Sequence, residues 1–217
     1  RFASGSSSSR KSGSIAKANL TISATTASKT YDGGPSSTGP LNVTGLQATD
    51  TVTGRSQVYD QKNAGSRTLQ VATYTVNDGN GGQNYNVTTQ TAAGTILQAP
   101  LTAGLTGTVV KPYDGTDAAT LAAANYTLSG VVGSEAVTLN NPASGTYANR
   151  NAGTAKSVSV AGLALGGADA ANYTVNPTAS ANIGTINPKA LTLAAVPSDK
   201  TYNGTTASSG TVTVTGL

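Results

Sequence analysis

Histidine, cysteine, methionine and tryptophan are absent from all 217 residues. Without His or Cys, the usual ligands of zinc, copper, haem and iron–sulfur centres are missing. Ser-His-Asp and Cys-His nucleophile systems are excluded on the same ground, and a disulfide framework cannot form. Charge is sparse as well: 10% of residues are Asp, Glu, Lys or Arg, against about 25% in ordinary globular chains. Eight Asp and one Glu, mostly in turn contexts, leave little from which to build a facing carboxylate pair for glycoside hydrolysis. The expectation is a protein that is not an enzyme and needs no cofactor. An enzyme-accessory role would require an active site outside residues 1–217. The missing Met, even at position 1, makes an internal piece or a processed product the expected origin.

Net charge is +4, but its placement matters more than its size. Four of the thirteen basic residues, Arg1, Arg10, Lys11 and Lys17, stand in a Ser/Gly-rich leader over residues 1–17. That leaves nine basic against nine acidic residues in the body. A neutral body offers no electrostatic footprint for a phosphate backbone, and basic patches interleaved with aromatics are lacking, so no nucleic-acid partner is expected. The leader reads as a flexible, solvated linker. No apolar run approaches the roughly 18 residues of a membrane span. The leader also lacks a signal-peptide core, so any export signal is expected upstream.

What is present is repetition. Lys29-Thr30-Tyr31-Asp32-Gly33 returns as Lys111-Pro112-Tyr113-Asp114-Gly115 and again as Lys200-Thr201-Tyr202-Asn203-Gly204. Tyr59 through Lys62-Asn63-Ala64-Gly65 returns as Tyr147 through Arg150-Asn151-Ala152-Gly153. Asn84-Tyr85-Asn86-Val87 returns as Asn172-Tyr173-Thr174-Val175, and Gly94-Thr95-Ile96 as Gly184-Thr185-Ile186. Landmarks in one order at nearly one period define a tandem array. Repeat one spans residues 18–98, repeat two 99–187 and a partial repeat three 188–217.

Within each repeat the hydrophobic period is two, the signature of strands. Leu69, Val71 and Thr73 alternate with polar partners, as do Val158 and Val160. The pairs Leu20 and Ile22, Leu101 and Ala103, and Leu191 and Leu193 open the three repeats. Gly, Asn, Asp and Ser punctuate the runs every 8–12 residues or so, as in small all-β domains. The expected fold is all-β: tandem small domains, sandwich-like, with a β-grasp-like arrangement as the alternative. Asp117–Ala124 departs from the pattern. It could form a short helical turn capped by Asp117, yet Gly34–Pro40 in repeat one cannot, so the segment is treated as a variable loop. With no Trp or Met, Tyr must supply much of the core, and each buried hydroxyl needs a partner.

These landmarks, together with Ile186-Asn187-Pro188-Lys189-Ala190-Leu191, resemble the YDG-type repeat, whose close relatives are the MBG-type repeats. The resemblance covers residues 18–217 and is closest in repeat two. Repeat one departs with Gly34 in place of Thr116 and Thr205, and repeat three with Asn203 in place of Asp. Such repeats occur in large exported bacterial surface proteins, including filamentous-haemagglutinin-like exoproteins of two-partner secretion. The resemblance implies a β-rich extracellular stalk or adhesive module at the bacterial cell surface, and it carries over no catalytic residue.

The candidate residues read first as structure. In Tyr31-Asp32-Gly33, Tyr113-Asp114-Gly115 and Tyr202-Asn203-Gly204 the Gly suits a positive-φ turn position, the Asp or Asn bonds nearby amides, and the Tyr plugs the core. Asn63 with Gly65 and Asn151 with Gly153 mark a second turn, and Tyr85 and Tyr173 a strand. Lys29, Lys111 and Lys200 read as surface or snorkelling lysines; a Lys–Asn crosslink to Asn63 or Asn151 is the sharper alternative. Acid for such a bond is scarce: the single Glu, Glu135, corresponds to Asp50 in repeat one. Asp78-Gly79-Asn80-Gly81-Gly82 looks loosely like a calcium loop, but its counterpart does not keep the spacing and the linkers hold no carboxylates. Partial repeat three would leave unpaired strand edges around Val212 and Val214. Either the chain continues, or this strand docks on an identical subunit by β-augmentation and builds a filament. Expected partners are therefore further repeats of the same polypeptide or neighbouring copies. The second functional reading is a module whose Tyr-Asp-Gly and Asn-Ala-Gly turns contact a host or surface glycan or a receptor.

Overall fold

The computed structural model describes residues 13–207 and 209–217, so most of the leader expected over residues 1–17 lies outside the described residues. Of the described residues 51% lie in strands and 3% in helix, as the Thr-, Val- and Tyr-rich alternating runs dictate. It divides into two compact units, Arg1–Ala99 and Pro100–Leu217.

Repeat one contains β1 (Ala18–Ser23), β2 (Ala27–Thr30), β3 (Ser36–Ser37), β4 (Asn42–Thr44), β5 (Thr51–Tyr59), β6 (Gly65–Asn77), β7 (Tyr85–Gln90) and β8 (Ala92–Leu97). They form a three-stranded sheet, β4-β1-β7, and a five-stranded sheet, β2-β8-β6-β5-β3. The opening stretch of the repeat crosses from the first sheet to the second between β1 and β2, and the closing stretch does the same between β7 and β8. The two stretches run parallel throughout. Ala18 faces Tyr85 at one end and Thr30 faces Leu97 at the other, the same 67-residue offset across both sheets. The amide of Ala24 donates to the Gln90 carbonyl at 2.8 Å between the strand pairs, and that of Tyr31 to Leu97 at 2.8 Å beyond them. One parallel seam therefore fastens the first strands of the repeat to its last.

Repeat two uses β9 (Ala99–Leu105), β10 (Val109–Pro112), β11 (Ala118–Thr120), β12 (Tyr126–Ser129), β13 (Thr138–Leu139), β14 (Ser144–Tyr147), β15 (Gly153–Ala161), β16 (Leu165–Gly166), β17 (Tyr173–Val175) and β18 (Thr178–Asn187). Its sheets, β12-β9-β17 and β10-β18-β15-β14-β11, repeat the order seen in repeat one, with a small β13-β16 pair added. Again β10 runs parallel to β18, and the amide of Tyr113 donates to Asn187 at 2.8 Å. β17 has three residues where β7 has six, and it stops short of Pro177, which cannot donate a ladder bond. The side chain of Asn176 stands in for the backbone there: its Oδ1 accepts from the Ala103 amide at 2.8 Å and its Nδ2 donates to the Ala103 carbonyl at 3.0 Å.

The alternating apolar positions face inward. Val109, Ala119, Leu121, Tyr147, Val158 and Ile186 pack as one buried cluster. Ala103, Val160 and Leu163 form a second, against which Leu128, Val175 and Ala179 pack. The second cluster joins residues of both main sheets, which is sheet-on-sheet packing. Among the described residues the helical content is two three-residue 3-10 turns, Ala123–Asn125 and Ala170–Asn172. Neither can supply the helix that a β-grasp arrangement packs across its sheet, so the sandwich-like reading holds.

One expectation needs correction. Asp117–Ala124 is not a capped helical turn or a free loop: Ala118–Thr120 is the edge strand β11, paired with β14 as β3 is with β5, and Ala122, not Asp117, precedes the 3-10 turn. Its alanines fit the edge because Ala119 packs inward. The strand carrying Val212 and Val214 keeps the unpaired edge expected of it: it has a single partner strand, and the two valines are 63% and 41% exposed. It is β20 (Val212–Thr215), antiparallel to β19 (Thr192–Ala195). Leu193 faces Val214 as Ile22 faces Val43 in repeat one. In repeat one β1 is paired on both sides, by β4 and β7, whereas β19 has β20 alone. The difference lies in burial: Leu20 and Ile22 are 0% exposed, Leu191 and Leu193 are 51% and 67% exposed.

Candidate functional site

The most repeated motif closes around a lysine ammonium. Lys29 lies in β2, on the strand face shared with Tyr31, and its chain is long enough to turn back over the loop that follows. Lys29 Nζ donates to Asp32 Oδ1 at 2.6 Å and to the Gly34 carbonyl at 2.6 Å. In repeat two Lys111 Nζ donates to Asp114 Oδ1 at 2.9 Å, to the Thr116 carbonyl at 2.8 Å and to Thr116 Oγ1 at 2.9 Å. Asp114 Oδ1 also accepts from the Thr116 amide and hydroxyl, both at 2.9 Å. Gly33, Gly115 and Gly204 take φ of 82°, 79° and 77°, the left-handed region that a Cβ disfavours, which is why the turn ends in Gly. Repeat three keeps the hook with an amide: Lys200 Nζ donates to Asn203 Oδ1 at 3.1 Å and to the Thr205 hydroxyl at 3.1 Å.

In repeats one and two a tyrosine from the second turn motif lies close to the ammonium. Lys29 Nζ lies 5.7 Å from the Tyr59 ring centroid and Lys111 Nζ 5.5 Å from that of Tyr147, within cation–π range. Only 16% and 15% of the two lysine side chains is exposed, so these are caged cations and not solvated surface lysines. The Lys111 ammonium, with the amide and hydroxyl of Thr116, holds the Asp114 carboxyl down at about 2. Lys29, with the Gly34 amide, lowers Asp32 in the same direction. Each carboxyl is thereby favoured in its charged form. A Lys–Asn crosslink forms when the amine attacks the carboxamide of Asn63 or Asn151 and ammonia leaves; here each Nζ is turned to the carboxylate and carbonyl of its own loop, which works against that attack.

Gly94 and Gly184 explain why the Gly-Thr-Ile landmark recurs. A Cβ on Gly94 would lie 2.7 Å from Tyr59 Cε1, and one on Gly184 would lie 2.6 Å from Tyr147 Cε1. The bare strand lets each ring lie flat under the lysine. Ile96 and Ile186, two positions on, are buried. The Asn-Ala-Gly turn beside them is secured differently in the two repeats. Arg67 Nε donates to the Asn63 carbonyl and Nη2 to that of Ala64, both at 2.6 Å. In repeat two Asn149 Oδ1 accepts from the Asn151 amide at 3.1 Å and from Lys156 Nζ at 2.7 Å. Gly65 and Gly153 begin β6 and β15.

Tyr85 and Tyr173 occupy equivalent buried positions, and each binds an acid. Tyr85 Oη donates to Asp50 Oδ2 at 2.6 Å while accepting from the Gln47 amide. Tyr173 Oη donates to Glu135 Oε2 at 2.6 Å while accepting from the Val132 amide. Burial and the Glu135 bond push the Tyr173 phenol up. The acids were not singled out in the sequence as tyrosine partners, although their matching positions were the available signal. Gln57 was missed altogether. It is 1% exposed, and its carboxamide accepts from the Thr25 amide at 2.8 Å and donates to the Thr25 carbonyl at 3.1 Å, pinning the step from β1 to β2. The calcium-like loop turns its acid inward: Asp78 accepts from the amides of Gly82 and Asn80 at 2.8 Å and of Asn84 at 3.1 Å, which lower its carboxyl. Its oxygens are spent on the loop's own amides.

Within the second unit the Tyr-Asp-Gly and Asn-Ala-Gly turns of repeat two come together. Tyr113, Asp114, Gly115, Asn151 and Ala152 line a cleft of about 680 Å³, completed by Pro188, Lys189, Leu191, Gly216 and Leu217. Its walls combine an aromatic ring, an ionised carboxylate, an amide and a lysine. Tyr202 lies apart, 93% exposed, in contrast to Tyr31 at 3%. Among the described residues no helix is long and apolar enough to cross a membrane.

Comparison with curated proteins and with solved structures gives no match. The model of the YDG domain matches residues 16–92 and 98–181, one copy on each of the two complete repeats just described. The chain thus belongs to the YDG domain family and carries two copies of the domain in tandem.

Proposed function

We propose that these repeats form a non-catalytic structural segment, a stalk or spacer, of an exported bacterial adhesin or extracellular filament. The observation that carries this reading is the parallel seam. Because the first and last strands of a repeat run the same way, the chain enters at one pole and leaves at the opposite one. A single repeat thus carries the chain across its own length instead of returning it to its starting point. The motif residues support the same role: their polar atoms are spent on one another, as a stiff domain with a thin core requires. Adhesion would reside elsewhere in the polypeptide. The test is antibody against residues 18–187 applied to intact source cells. Labelling without permeabilisation supports surface display, and labelling confined to permeabilised cells overturns it.

The cleft of repeat two favours one second reading, a glycan- or receptor-binding module. An aromatic ring beside carboxylate, amide and ammonium groups offers both a stacking surface and hydrogen-bond partners. A glycan array probed with the purified chain separates the readings. A spacer binds nothing saturably, whereas saturable binding that is lost in Asn151→Ala selects the module.

A further inference from the structure

We infer that the parallel seam is a shear clamp that resists tension between the ends of each repeat. The inference deepens the spacer reading, yet it stands on the hydrogen-bond geometry of a single repeat. A strong repeat without surface display and a displayed repeat without strength are therefore separate outcomes.

In repeat one, tension pulls Ala18 toward one pole and Leu97 toward the other. These residues end two stretches that lie side by side in one direction, with an unchanged register over both sheets. The bonds of a parallel ladder are evenly spaced and slant across the gap between strands, so a load along the strands shears them together and all share it. Sliding by even one residue would flip the inward positions outward, and Leu20, Ile22 and Ile96 on this seam are among the most deeply buried side chains. Gln57 and Lys29 fasten the seam from the side. Gln57 holds Thr25 at the crossing between sheets, and Lys29 ties the loop beyond Tyr31 to Asp32 and Gly34. Repeat two repeats the device with β10 along β18 and the Asn176 side chain beside β9.

The segment 188–217 supplies an internal contrast. Its β19–β20 pair is antiparallel, with Thr192 opposite Thr215. Pulling its two ends therefore opens the pair one bond at a time. Forced unfolding is governed by the unfolding barrier, which is high for simultaneous and low for sequential rupture.

The chain lacks cysteine, so attachment points can be introduced at will. The full 217-residue chain carrying Lys17→Cys and Gln98→Cys is stretched through repeat one in a single-molecule force experiment. A second form carries Thr49→Cys and Asn77→Cys, which load the open end of the β5–β6 hairpin, where Thr51 faces Asn77. The first form should rupture at a force several times that of the second. Equal forces, or a weaker first form, would overturn the clamp. Ala24→Pro, which removes the amide donated to Gln90, should lower the first force toward the second. Should that variant fail to fold, the comparison of attachment points still decides, because it leaves every seam residue in place.

Discussion

Asp114→Asn gives repeat two the turn that repeat three already has, where Asn203 accepts from Lys200. The substitution keeps the turn and removes a carboxylate whose pKa is depressed from the ordinary 3.8 to about 2. A group depressed in the folded state contributes stability that is fully present above its unfolded pKa and fades as pH falls through its folded pKa. The wild-type chain should therefore lose stability between about pH 4 and pH 2 more steeply than Asp114→Asn, as read from thermal midpoints across that range. Identical acid profiles would show that the Lys111 pair is not formed in solution. Gly184→Ala tests the other side of the cage. Its Cβ would enter the space of Tyr147 and Val158, and overpacking of this kind costs about 1–3 kcal/mol. Denaturant midpoints should show that loss, and a neutral result would mean that the ring does not lie against the strand.

At the scale of the elements, much of the architecture was legible because the array shows each element two or three times. Period-two runs placed the long strands β6 and β15, and Leu-Thr-Ile or its equivalents marked the opening strands. The parallel direction of the seam was not legible. Nothing in an alternating run states which neighbour it will pair with, or in which sense. The short edge strand β11 was hidden for a different reason: Asp-Ala-Ala-Thr-Leu-Ala-Ala-Ala carries helix-forming residues whose local preference is overridden by pairing with β14. The lysines were misread because Lys is usually solvated, and only the fold brings Tyr59 and Tyr147 beside them. Asn176 was not singled out because a side chain that imitates backbone leaves no periodic signal. Its substitution, Asn176→Ala, leaves the amide and carbonyl of Ala103 without those bonds, at a cost of about 1–3 kcal/mol. Chemical denaturation should show repeat two weakened and repeat one unchanged.

Over the whole molecule, two YDG domains and the segment 188–217 place the same hook, the same turn and the same opening strand on very different amounts of core. Leu20 and Leu191 hold matching positions, yet one is sealed and the other half exposed. Local opening follows such differences in burial and bonding. Amide hydrogen exchange read along the entire chain tests this most directly. Amides on the seam, including those of Ala24, Tyr31 and Tyr113, should exchange last, through global unfolding of their repeat, and those of β19 and β20 should exchange first. Seam amides that exchange as fast as β19 and β20 would contradict the claim that parallel terminal strands hold each repeat together.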